Sequence, residues 1–155
     1  MSSSATLDVW EAIAREAAGE SVLWAAALRP APVREPAAVF SPLAEPRFGL
    51  GLETIYEGYL VHYGAPRLFA PADPDAALLL GDYLYAHGLV RITALGEVEA
   101  VERLAELLSL CAHLRAEDRG GDGNAWATTV GSLAGAKPTG DAVERALALH
   151  GERVD

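Results

Sequence analysis

Asp82 stands inside a strongly apolar stretch that runs from Asp75 to Leu95. A carboxylate in that setting is either a site group or an aspartate hydrogen-bonded across a helical bundle, since an unpaired buried charge is costly. The second reading is the expected one. His62, His87, His113 and His150 have no metal-ligand spacing with one another or with a second ligand type, so each is expected to be a surface or packing residue. Ser109, Ser132 and Cys111 lack a base within a recognisable motif, which leaves nucleophilic catalysis unsupported. Lys137-Pro-Thr-Gly140 lacks the glycine spacing and the preceding strand of a phosphate loop. Tyr56, Tyr59 and Tyr63 step down one helical stretch at i, i+3 and i+7. They form either a core-facing row or an aromatic wall against a partner helix or an apolar ligand.

The charge balance narrows the classes further. Acidic side chains outnumber basic ones by 22 to 12, and the formal net charge is −10. Binding phosphate backbones or anionic lipid head groups takes clustered Lys and Arg, so neither a nucleic-acid binder nor a polybasic membrane binder is expected. The only lysine is Lys137, and the only cysteine is Cys111. A lone cysteine excludes an internal disulfide and a thiolate metal cluster. The stretch Met1-Ser-Ser-Ser-Ala-Thr6 is polar, without a basic or an apolar signal region, which gives a cytoplasmic reading.

The elements that carry these residues are helical throughout, and 155 residues suit a single domain with a real core. Thr6 opens a pattern with Leu7, Trp10, Ile13, Ala14 and Ala17 on one face. Ser21 caps a second short helix through Leu28. Prolines 30, 32, 36, 42 and 46 exclude a regular helix next. Val33, Val39, Phe40 and Leu43 favour a wrap packed on the bundle over a solvated tether. Phe48 to Tyr63 reads as a helix in spite of three glycines. Asp73 is a natural N-cap with Pro74 at the first helical position, and Gly96 is a natural stop. The intervening helix is apolar on most sides, so it is expected to be central to the bundle. It is too short and too interrupted by ionisable groups for a membrane span. Gly96 to Asp118 is the clearest amphipathic segment, with Glu99 and Arg103 paired at i, i+4. Two further helices follow, from about Ala125 to Ala134 and from Thr139 or Asp141 to His150. The expected fold is all-α: a compact bundle of about five to six helices with a Pro-rich N-terminal arm. Its parts are N-terminal helices over 1–28, a Pro-rich wrap over 29–47 and a helical core over 48–150.

At Leu80-Gly-Asp-Tyr-Leu-Tyr-Ala86 the chain resembles the trans-isoprenyl diphosphate synthases, whose corresponding stretch reads Ala-Gly-Asp-Tyr-Leu-Leu-Ala. Gly96-Glu-Val-Glu-Ala-Val-Glu-Arg-Leu-Ala-Glu-Leu107 is similar to the helix that follows in that family, and Arg115-Ala-Glu-Asp118 matches its end. Gly64-Ala-Pro66 lies at about the family's distance before Gly81. The resemblance covers roughly Leu50 to Asp118 and implies part of the isoprenoid synthase fold. The family's magnesium-binding aspartate motif falls on Glu53-Thr-Ile-Tyr-Glu57, where Thr54 replaces the second Asp. Glu53 and Glu57 then read as a relic metal site or, as expected, a solvated helix face. The family's paired arginines fall at His62-Tyr63, which removes bidentate phosphate recognition. Its Lys-Thr has no match near Ala125, and its second aspartate motif has no counterpart.

No catalytic residue, metal or cofactor is therefore expected. The resemblance implies a non-catalytic accessory or structural subunit of a larger assembly. Gly81 and Gly88, with Leu84 and Tyr85 between them, would form a stripe facing a second copy or a related subunit. Two helical glycines, each costing about 1 kcal/mol against alanine, point to something that approaches closely there. Tyr56, Tyr59 and Tyr63 would widen that interface, and Trp10, Trp24 and the proline-rich arm would lie over the partner. Peripheral attachment to a membrane complex stays compatible with the sequence. One alternative is an apolar ligand, an isoprenoid or quinone, held in a pocket lined by Tyr56, Tyr59, Leu84 and Leu108. Another is residual magnesium-dependent prenyl transfer through Glu53 and Glu57.

Overall fold

The computed structural model describes residues 8–154. Seven α-helices follow in order: α1 Val9–Glu20, α2 Val22–Ala27, α3 Gly49–Tyr63, α4 Pro74–Thr93, α5 Val98–Ala116, α6 Asp122–Gly131 and α7 Gly140–Val154. The described residues contain no strand, only an isolated antiparallel bridge between Leu28 and Phe69. The all-α class is thus as expected, with one helix more than the upper count. Thr6 and Leu7, placed at the start of the first helix, lie outside the described residues. No helix among the described residues is long and apolar enough to cross a membrane.

The helix ends follow the local chemistry. Asp8 caps α1 by accepting from the amides of Trp10 and Glu11, and the Ser21 hydroxyl accepts from Leu23 to start α2. The Asp73 carboxylate accepts from the Ala76 amide with Pro74 at the first position of α4. Gly96, at φ 79°, makes the left-handed turn after that helix. Between α2 and α3 the prolines enforce short 3-10 turns at Ala31–Val33, Ser41–Leu43 and Pro46–Phe48. Val39, Phe40 and Leu43 of this stretch are buried in the core, whereas Val33 is exposed.

The central element is α3, and this corrects the expectation for the Asp75–Leu95 stretch. Every residue of α3 from Gly51 to Val61 is buried. On α4 only Leu80, Gly81, Leu84, Gly88 and Ile92 are buried, while Leu78, Leu79 and Val90 face outward. One core cluster gathers Phe40, Tyr56, Tyr59, Leu104, Leu107 and Trp126 between α3, α5, α6 and α7. The other joins Ile13, Ala17, Trp24, Leu68, Leu80 and Leu84, tying α1 and α2 to the other side of α3. Trp10 and Trp24 pack into this second cluster of the same chain, which corrects their assignment to a partner surface.

Four glycines set the spacing between α3 and α4. A Cβ at Gly81 would lie 2.4 Å from the His62 ring, and one at Gly88 would lie 2.4 Å from the Ile55 side chain. Across the contact, Gly51 faces the Gly88 carbonyl and Gly58 faces the Gly81 carbonyl. The Gly81–Gly88 stripe is therefore filled by α3 of the same chain. That close approach is intrachain, not the intersubunit face expected for it.

Candidate functional site

Glu53 and Glu57 are not a solvated helix face. Both are buried, at 2% and 0% exposure, and they converge on a fully buried arginine, Arg67, in the loop after α3. Helical periodicity puts the two carboxylates one turn apart on α3. The chain then turns back after Gly64 and brings Arg67 across both. Arg67 Nη1 lies 2.6 Å from Glu53 Oε1, and its Nε lies 3.0 Å from Glu57 Oε1. Glu57 also accepts from the Arg67 and Leu68 backbone amides. The Ser41 hydroxyl donates to Glu53 Oε2 at 2.5 Å. Burial alone would lower the Arg67 pKa, but the two carboxylates override it and hold the guanidinium above its ordinary value. Glu57 is committed to the loop backbone, so the two glutamates do not present a shared open ligand set for magnesium.

This cluster underlies a surface cleft of about 340 Å³ walled by Trp10, Pro42, Pro46 and Gly49, with Ser41 and Glu53 among its lining. The Arg67 guanidinium carbon sits 4.7 Å from the centre of the Trp10 ring. No spacing rule points from Glu53 and Glu57 to Arg67. The missed signal was two carboxylates inside a helix otherwise too apolar for a wet face.

A second polar network joins α3, α5, α6 and α7 around Asp122. Asp122 Oδ2 accepts from the Tyr59 hydroxyl at 2.5 Å and from Arg115 Nη2 at 2.7 Å, and it lies 3.1 Å from His150 Nε2. His150 Nδ1 lies 2.7 Å from the Tyr56 hydroxyl. With its proton on Nε2, the ring donates to the carboxylate and accepts from the tyrosine. The hydrogen bond from His150, followed by those from Tyr59 and Arg115, holds the Asp122 carboxyl below the ordinary aspartate value in spite of burial. Burial, with the hydrogen bond to Asp122 next, raises the Tyr59 phenol. Tyr59, Arg115 and His150 all reach the one Asp122 carboxylate, which is the chemistry of a structural clasp. The thiol of Cys111 is buried nearby, and burial pushes it up to about 11, far from the range of a nucleophilic cysteine.

The remaining expected site residues separate. Tyr56 and Tyr59 are core residues, their rings edge-on to Trp126 at centroid distances of 5.1 and 5.5 Å. Tyr63 is partly buried against Tyr59. Tyr85 is half-buried against the same cluster, but Leu84 belongs to the other one. Tyr56, Tyr59, Leu84 and Leu108 therefore do not converge on one apolar cavity. Asp82 is exposed on α4 and pairs with His62 at 3.2 Å, which corrects the expectation of a buried, bundle-spanning aspartate. His87 pairs with Glu16 and His113 with Glu117 on the surface, but His150 is a buried network member.

The outer side of α4 carries what a closed bundle does not need. Leu79, Asp82, Ala86 and Val90 form one exposed stripe about three turns long. Leu79 is 57% exposed and Val90 61%, and the turn into α5 adds Leu95 at 40% and Val98 at 68%. No protein-family model, no curated protein and no solved structure matches this chain.

Proposed function

We propose that this chain is a non-catalytic helical subunit that docks onto a protein partner or a second copy of itself. The docking face is the outer stripe of α4 and its corner with α5. The observation that carries the reading is the run of exposed apolar side chains Leu79, Val90, Leu95 and Val98. Apolar groups grouped on one surface mark interaction faces, whereas single exposed ones do not. The Asp122 network supports the same reading, because its carboxylate is held by Tyr59, Arg115 and His150 of the same chain. On this view the likeness of residues 50–118 to trans-isoprenyl diphosphate synthases is one of helical scaffold, without the metal- and diphosphate-binding groups.

The test is light scattering on the purified protein together with capture of partners from its source cells. Leu79→Glu combined with Val90→Glu abolishes the association and leaves far-UV helicity unchanged, since both side chains already face solvent. A strictly monomeric protein with no co-purifying chain overturns the reading.

A further inference from the structure

The cleft above the Arg67 cluster has a chemical bias of its own. A carboxylate offers about four acceptor positions. Glu57 fills its own with Arg67 Nε and the two backbone amides of Arg67 and Leu68. Among the described residues Glu53 accepts only from Arg67 Nη1 and the Ser41 hydroxyl, so half of its capacity is unspent there. In formal charges the cluster holds two carboxylates against one guanidinium, leaving one negative charge in a site that is almost wholly out of water. Glu53 is the member that also lines the cleft, and the walls around it, Trp10, Pro42, Pro46 and Gly49, are apolar or aromatic. At about 340 Å³ the cleft lies at the small end of ligand sites.

We propose that this cleft binds a small organic monocation, a protonated primary amine on an apolar body. The ammonium sits on Glu53 Oε2 beside the Ser41 hydroxyl, and the apolar body lies against Trp10, Pro42 and Pro46. A positive head is selected because it supplies both the missing donors and the missing charge. An apolar body is selected because the walls offer it no polar contact except Ser41. The site shares no residue with the α4–α5 docking face, so its fate is independent of that reading.

The experiment is a titration of the full chain, ¹⁵N-labelled, with 2-phenylethylamine and with its neutral counterpart 2-phenylethanol. The amine shifts the Trp10 indole resonance and the Ser41 and Gly49 amides in a saturable way, and the alcohol binds at least tenfold more weakly. Glu53→Gln abolishes the difference between the two compounds. Should that variant fail to fold, Ala44→Lys serves instead, because Ala44 also lines the cleft and its side chain makes no bond to the cluster, so the variant brings a competing ammonium to the cleft wall. It is expected to weaken the amine at least tenfold. Equal binding of amine and alcohol, an absence of saturable shifts at Trp10, Ser41 and Gly49, or unchanged binding by Ala44→Lys overturns the proposal.

Discussion

The Glu53–Glu57–Arg67 cluster and the Asp122 network both place ionised groups inside a helical bundle, but on opposite plans. The first is local: its ion pairs join residues 10 and 14 apart and fix the course of the loop after α3. Its arginine is wholly buried, at 0% exposure, and only Glu53 borders a cleft. The second is long-range, linking residues 28, 63 and 94 apart and clasping α7 and α6 to α3. Its arginine reaches the surface, with 29% of the Arg115 side chain exposed. The difference teaches that burial decides how much a charge pair matters to stability, while sequence separation decides which part of the fold depends on it.

Removing the guanidinium tests the Arg67 cluster most severely. Arg67→Met leaves two carboxylates buried without a counter-charge, and breaking a buried pair in this way costs about 3–5 kcal/mol. Urea unfolding followed by circular dichroism measures it, and a loss below about 1 kcal/mol would erase the distinction between the clusters. Asp122→Asn comes next, at about 1–3 kcal/mol for weakened charge-assisted hydrogen bonds. Hydrogen exchange should then rise in α7 before it rises in α3. The same variant has a pH signature. The folded-state pKa of Asp122 is depressed, so its stabilisation is complete above the ordinary value of 3.8 and is withdrawn as pH falls below it. The wild type therefore loses stability on acidification through this window more steeply than Asp122→Asn does, as thermal melts at a series of pH values will show. Smallest is Arg103→Gln, which removes an exposed i, i+4 partner of Glu99. Its cost is no more than about 0.5 kcal/mol, and the loss disappears at high salt.

Much of the fold was legible in sequence because helix ends are local. Asp73-Pro74, Ser21 and Gly96 each act within a few residues of themselves, and each does in the structure what its type dictates. The amphipathic pattern of α5 is a row of Val101, Leu104, Leu108 and Cys111 widened by Leu107, Leu110 and Leu114. It likewise puts Leu104, Leu107, Cys111 and Leu114 inside, with Val101 and Leu108 partly buried and Leu110 exposed. What was misjudged depended on distant partners. The carboxylates of α3 look like a wet face until Arg67 is folded over them, so the sequence makes the most buried helix read as amphipathic and α4 read as central. The Asp122–His150 clasp has no motif, since its members meet only through tertiary packing. One signal was present and unread: the seven-residue spacing of Gly81 and Gly88 is matched by Gly51 and Gly58, as two helices in mutual contact require.

That matched spacing restricts how the sequence can drift. At most helix contacts a larger side chain on one element is accommodated by a smaller one opposite. Here a Cβ at Gly51 or Gly88 also meets the other's carbonyl, at 3.3 and 3.0 Å, and one at Gly58 meets the Gly81 carbonyl at 3.0 Å. The obstacle is main chain, and a glycine opposite has nothing left to give up. No second-site replacement across this seam clears the main chain that faces Gly51, Gly58 and Gly88, so those three positions accept a side chain only if the two helices move apart, whereas Gly81 is blocked by the replaceable His62 ring. The α3–α4 seam therefore tolerates change less than the helix contacts around it, because what faces three of its glycines is backbone.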